Sequence, residues 1–173
     1  MTEILWHGRG GQGAFTAARL LGDAYSLKDN AFALAFPSFG PERRGAPIRA
    51  FTKLDTKPIG NRSETTRSDY SIFLDDTLFS EKSFRELKQN GIILLNTKKQ
   101  FDDPRVITLD GYEIAVRILG LPITNTILLG AFAAVSGEIS LEEINEAIRQ
   151  TMPHRLQEKN IAAVKAAYEE VVA

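Results

Sequence analysis

The chain has 173 residues, 43% of them hydrophobic and 25% charged, which suits one globular domain, residues 1–173, around a single buried core. A formal net charge of -1 offers no whole-molecule attraction to nucleic acid or to an anionic membrane, so any anion must be held by a local patch. The absence of cysteine excludes disulfides, thiolate nucleophiles and cysteine-held iron–sulfur clusters from this chain, and no apolar run reaches the roughly 18 residues of a membrane span.

In chain order, Glu3 to Trp6 is short and apolar and reads as a buried strand. From Ala14 to Leu27 apolar residues recur at helical spacing (Phe15, Ala18, Leu21, Tyr25). A second strand is expected over Ala31 to Phe36, stopped by Pro37, and a third over Ala46 to Lys53. Asp55 to Ser68 is polar, carries Pro58 and Gly60, and reads as a surface loop. "DYSIFLDD" is a strand ending in paired carboxylates; Thr77 to Asn90 is expected to be helical, with Gly91 as its stop. "IILLNT" and Arg105 to Leu109 give two more strands, followed by helices over Gly111 to Leu119 and Thr124 to Ser136. The second of these is apolar nearly all round and should be the most buried helix. Ser140-Leu141-Glu142-Glu143 is a capping box, and a last helix runs from Arg155 to Val172 with a stripe of Ala162, Val164, Ala167, Tyr168 and Val171. Strands alternating with helices predict an α/β fold: a Rossmann-like, mostly parallel sheet with helices on both faces.

Two stretches carry chemistry. Gly8-x-Gly10-x-x-Gly13, with Arg9, Gly11 and Gln12 between the outer glycines, follows a strand and opens a helix, the context of a phosphate cradle. Glycine lets backbone approach a phosphate, and the first helical N–H groups have no internal partner, so a pyrophosphate could sit over Gly10 to Ala14. A tight packing turn is the competing reading. The acidic residue that would bind the ribose of a nicotinamide cofactor is missing: the second strand ends in Pro37 and Ser38. The other stretch is "PSFGPERRGAP". Its three prolines stiffen a loop that carries Phe39, Arg43 and Arg44, and guanidinium groups suit bidentate phosphate or carboxylate contacts.

Other polar residues have plainer readings. Asp75 and Asp76 could be an acid/base pair or metal ligands, but such a pair more often caps the next helix, and Asn125 fits a cap as well as a ligand-facing amide. His7 suits a packed, hydrogen-bonded histidine, while Lys98, Lys99 and Gln100 form a solvated turn. Two histidines without cysteine make a transition-metal site an unsupported expectation, and no residue is assigned as a metal ligand.

"GRGGQG", "FPSFGPERRGAPIRAF", "LDD", "ILLNT", "LGLPITNTILLGAFAAVSG" and "EKNIAAVKAAYEEV" occur in this order from Ile4 to Val171. In this the chain resembles the gamma subunits of pyruvate:ferredoxin oxidoreductase and related 2-oxoacid:ferredoxin oxidoreductases. The resemblance implies a cytoplasmic enzyme of anaerobic metabolism that converts a 2-oxoacid, with pyruvate favoured, and CoA to acyl-CoA and carbon dioxide, reducing two ferredoxins. It implies alpha, beta and delta partners, or fused equivalents, that hold thiamine diphosphate with magnesium and the [4Fe–4S] clusters. No catalytic residue is then expected in this chain. Its part would be to cover or position CoA, with Gly8, Arg9, Gly10, Gly11, Gln12, Gly13, Phe39, Arg43, Arg44 and Asn125 as the contact residues. A free-standing NAD(P)-linked oxidoreductase and a nucleotide-binding module remain the alternative readings. Neither nucleic acid nor a membrane is an expected partner.

Overall fold

The computed structural model describes residues 1–38, 40–41 and 43–173. Six strands form one sheet in the order β2-β3-β1-β4-β5-β6. At its centre β1 (Thr2–Arg9) pairs parallel with β4 (Ser68–Phe73), and β5 (Leu87–Asn96) and β6 (Val106–Leu109) continue in the same sense. On the other side β3 (Pro47–Asp55) runs antiparallel between β1 and β2 (Phe32–Pro37). The sheet is thus mostly parallel with one reversed strand. Among the described residues no helix separates β2 from β3, which pair directly as antiparallel neighbours.

The period of two along β1 divides its side chains between two layers. Ile4 and Trp6 join the main core with α1 (Ala14–Tyr25), α3 (Asn125–Ser136), α4 (Leu141–Thr151) and α5 (His154–Val172). Trp6 is anchored there by donating its indole N–H to Thr52 Oγ1 at 3.1 Å, and Thr52 in turn donates to the Ala18 carbonyl. The opposite face carries a smaller core of Phe73, Leu87, Ile93, Leu95 and Val106, covered by 3-10 turns at Asp76–Leu78 and Glu81–Glu86. The 56–67 loop reaches back to this face: the Lys53 ammonium donates to the Asn61 carbonyl, and Thr65 donates to the Glu3 carboxylate.

The expected helix over Thr77 to Asn90 is absent. Two 3-10 turns occupy its first half, and β5 already begins at Leu87, so Gly91 lies inside a strand rather than at a helix end. The aromatic residues explain the difference. Phe79 sits edge-on to Phe73, Phe84 and Phe101, with ring centroids 5.7, 5.8 and 5.4 Å apart, and short turns aim these rings at the sheet together. Gly91 serves close packing: a Cβ there would stand 2.9 Å from Leu87 Cβ and 3.0 Å from the Ser68 carbonyl oxygen.

The remaining helices follow the sequence pattern. Gly111–Ile114 (α2) runs into a wider π turn at Ala115–Leu119, and Gly120 closes it in the left-handed region. Ser140 and Glu143 form the reciprocal capping box of α4. Nine consecutive residues of α3, Asn125 to Ala133, are buried. α5 buries Ala163, Val164 and Ala167, whereas Ala162 of the expected stripe faces outward.

α3 and α5 meet at Gly130, where a Cβ would fall 2.3 Å from the Val164 carbonyl oxygen. Gly130→Ala therefore lowers unfolding stability by about 1–3 kcal/mol, the usual cost of overpacking, read as a drop in the urea midpoint. An unchanged midpoint contradicts this packing.

Candidate functional site

The site is built at the carboxyl end of β1, where the chain leaves the sheet at Arg9 and enters α1 at Ala14. Between them Gly11 and Gly13 adopt φ values of 92° and 82°, the left-handed region that disfavours side chains. Gly10 has a different task. Its N–H donates to the Ala46 carbonyl at 2.9 Å, and its carbonyl accepts the Gly45 N–H at 3.1 Å. A Cβ on Gly10 would stand 2.1 Å from the Arg43 carbonyl oxygen. The glycine turn and the arginine loop are thus locked together through their backbones.

This lock settles which donors the turn can offer. The Gly10 N–H is spent on Ala46, that of Arg9 on the Gln12 side chain at 2.7 Å, and that of Gln12 on the Arg9 carbonyl at 3.0 Å. The start of α1 is free of such commitments: its N-cap is Gly13, with no side-chain cap and no acidic residue in its first turn. Those helical N–H groups and the helix dipole favour an anion.

Arg9 ties three segments together. Its guanidinium donates to the Gly45 carbonyl at 3.1 Å and to Thr77 Oγ1 at 2.9 Å, and pairs with Asp75 at 3.3 Å. Asp75 also accepts from Gln12 Nε2 at 3.1 Å and from the Thr77 N–H at 3.0 Å. Asp75 is therefore a cap and an anchor. Burial pushes its carboxyl up, but hydrogen bonds from Thr77 and Gln12 and the Arg9 charge outweigh that and hold it below the ordinary range. Asp76 is taken by Thr97, whose hydroxyl donates to it at 2.7 Å.

Arg43 and Arg44 are exposed, and neither pairs with a carboxylate among the described residues. Phe39 lies outside the described residues. Gly8 packs on Ala14 and Leu74, where a Cβ would find neighbours at 3.2 and 3.3 Å. Asn125 is buried under the turn, its Nδ2 3.4 Å from the Gly13 carbonyl oxygen. The structure thus brings Arg9, Gly10, Gln12, Arg43 and Arg44 to one rim, while Asn125 supports the turn from below. Thr77 is the site residue that sequence reading passed over. The signal available for it was Arg9 and Asp75 standing at the ends of neighbouring strands.

Sheet order also bears on the nucleotide readings. In a dinucleotide fold the second strand lies beside the first, so that its end meets the ribose. Here β3 intervenes between β1 and β2, and β2 ends in Pro37. The glycine pattern is therefore not accompanied by the rest of a nicotinamide site.

A family model for pyruvate ferredoxin/flavodoxin oxidoreductase matches residues 3–170. The chain belongs to that family. It is 44% identical over 174 residues to pyruvate synthase subunit PorC of Methanothermobacter thermautotrophicus, covering 99% of this chain and 96% of the relative. The common subunit gamma of the pyruvate/ketoisovalerate oxidoreductases of Pyrococcus furiosus is 42% identical over 179 residues, covering 98% and 96%. The crystal structure of pyruvate oxidoreductase subunit PORC from Thermotoga maritima superposes with a TM-score of 0.83 at 34% identity, over 97% of this chain and 95% of that one. Among the described residues no helix is long and apolar enough to cross a membrane, and no cluster of three His, Asp or Glu side chains is arranged to hold a metal.

Two outcomes test this geometry. Gly10→Ala expels the arginine loop, so trypsin cleaves after Arg43 and Arg44 about tenfold faster or more, matching an overpacking cost of about 1–3 kcal/mol; unchanged cleavage contradicts the lock. Asp75 has a lowered folded pKa, so its contribution to stability is complete above the ordinary carboxylate range and lost as pH falls through the folded value. The stability gap between wild type and Asp75→Asn is accordingly widest at neutral pH and narrows in acid; a pH-independent gap removes the ion-pair account.

Proposed function

We propose that this chain is the gamma subunit of a pyruvate:ferredoxin oxidoreductase and that its 173 residues act as one domain that positions CoA for the thiamine site of partner subunits. The overall reaction takes a 2-oxoacid and CoA to acyl-CoA and carbon dioxide, and passes two electrons to ferredoxin. With no cysteine, this chain has no thiolate to ligate an iron–sulfur cluster, so electron transfer belongs to neighbouring alpha, beta and delta chains or their fused equivalents. Thiamine diphosphate, held elsewhere, supplies the carbanion sink when bound.

The observation that carries the CoA reading is the pair of exposed guanidinium groups, Arg43 and Arg44, which have no carboxylate partner among the described residues and are fastened beside the uncapped start of α1. CoA brings a pyrophosphate and a 3′-phosphate, and charged forks next to helical N–H groups match that chemistry. Arg9 and Gln12 hold the turn in shape rather than reaching for ligand, since their polar groups are committed to Asp75, Thr77 and the backbone. Pyruvate is favoured because relatives at 44 and 42% identity are named for pyruvate synthase and for a shared pyruvate/ketoisovalerate subunit.

In the assembled enzyme, Arg43→Ala/Arg44→Ala raises the KM for CoA by about tenfold or more, the loss expected for two charge-assisted contacts, while the KM for pyruvate is retained. An unchanged KM for CoA overturns the proposal.

A further inference from the structure

β2 is the last strand on its side of the sheet, and its sequence does little to protect that edge. Phe32–Pro37 carries no charged residue, its pairing with β3 runs without a bulge, and its one proline stands at the strand's end. The usual devices that keep an edge from pairing with another strand are missing.

The ladder fixes where the free backbone groups point. The Ser38 N–H donates to the Arg49 carbonyl at 2.8 Å, which makes these two residues a hydrogen-bonded pair. Such pairs alternate along antiparallel strands, so Phe36, Leu34 and Phe32 also turn their backbone groups toward β3. Ala33 and Ala35 therefore turn theirs outward, where no further strand lies among the described residues.

The side chains of this edge read alike in both directions: Phe32-Ala33-Leu34-Ala35-Phe36 is symmetric about Leu34. Ala33 and Ala35 lie under α1, where a Cβ on Gly22 would stand 3.5 and 3.8 Å from their Cβ atoms. Phe32, Leu34 and Phe36 take the opposite face, with Phe36 stacked on Phe51 at a centroid distance of 5.0 Å and Phe32 exposed.

We propose that β2 pairs antiparallel with β2 of a second copy of this chain, about a two-fold axis through Leu34. Ala33 then exchanges both backbone hydrogen bonds with Ala35 of the other copy, and Ala35 with its Ala33. Leu34 meets Leu34, and Phe32 meets Phe36, at the closer positions between those bonds. Backbone direction and side-chain symmetry are separate observations, and they select the same axis.

Charge agrees with that axis. Arg19 and Asp23 are exposed on α1, and neither belongs to an ion pair among the described residues. The two-fold reverses the second α1 near Gly22, so at about 1.5 Å per residue Arg19 falls about 3 Å along the helix from the other copy's Asp23. α1 lies over β2 and β3. With strands about 4.8 Å apart, the two helices stand roughly 10 Å from each other, an ordinary packing distance. The inference is independent of the CoA reading.

Leu34→Cys tests it, because the chain has no other cysteine and directly facing residues at this kind of pair are within disulfide range. Mild oxidation of the full chain yields a covalent dimer. Phe32→Cys yields none alone but joins Phe36→Cys when the two variants are mixed. In sedimentation the wild-type chain runs as two copies, and Leu34→Glu weakens that association about tenfold or more by setting two carboxylates against each other, while still melting cooperatively. Three results overturn the proposal: the wild-type chain sedimenting as a single copy at every concentration; Leu34→Cys cross-linking no faster than Phe32→Cys; or Leu34→Cys in the assembled enzyme joining another subunit, or none, instead of its own copy. Joining another subunit would make β2 the seat of a partner's strand.

Discussion

Everything distinctive about this molecule depends on a contact between two stretches of backbone. Gly10 gives its N–H to Ala46 and takes the N–H of Gly45, at 2.9 and 3.1 Å, and the approach is possible only because Gly10 lacks a Cβ. Hydrogen bonds of this kind contribute about 1 kcal/mol each, yet their geometric effect is larger than their energy. They turn a proline-stiffened loop into a fixed extension of the sheet. Arg43 and Arg44 are then displayed at one place, beside the start of α1, and no carboxylate among the described residues draws them back.

The surroundings reinforce that contact. Arg9 bridges the loop to β4 through Gly45, Asp75 and Thr77, and Gln12 closes the ring by holding the Arg9 N–H and Asp75 at once. β1 can serve both sides because it is central, with a parallel neighbour that ends at Phe73, two residues before Asp75, and an antiparallel neighbour that begins at Pro47. The reversed strand is therefore a working part of the site: it delivers the loop to the glycine turn from the opposite direction. The same insertion moves β2 away from β1 and takes the fold out of the dinucleotide-binding pattern.

Much of this was legible in the residues themselves. The apolar run at Ile4 to Trp6, the helical stripe of α1, the Ser140 capping box and the all-round apolar α3 each express a local rule, and each appears close to where the pattern puts it. The segment after Asp75 was misread because its polar and apolar spacing fits a helix in isolation, whereas Phe79 and Phe84 are fixed by long-range ring contacts that no local period encodes. The same limit applies to Gly10. Its pattern announced a turn and a ligand, but the partner that fills the space, the Arg43 carbonyl, is more than thirty residues away in the chain and visible only in the fold. Arg43 and Arg44 were legible as charge on a stiff loop, and what sequence could not supply was that no carboxylate among the described residues pairs with them.

The central claim is that the locked loop and the free end of α1 form one anion-holding surface for CoA. Amide hydrogen exchange in the assembled enzyme, with and without CoA, tests it most directly. The account predicts slower exchange on CoA addition at Gly13 to Thr16 together with the 43–46 segment. If those amides exchange at the same rate with CoA bound, while the enzyme is demonstrably saturated, the ligand lies elsewhere and the account is wrong.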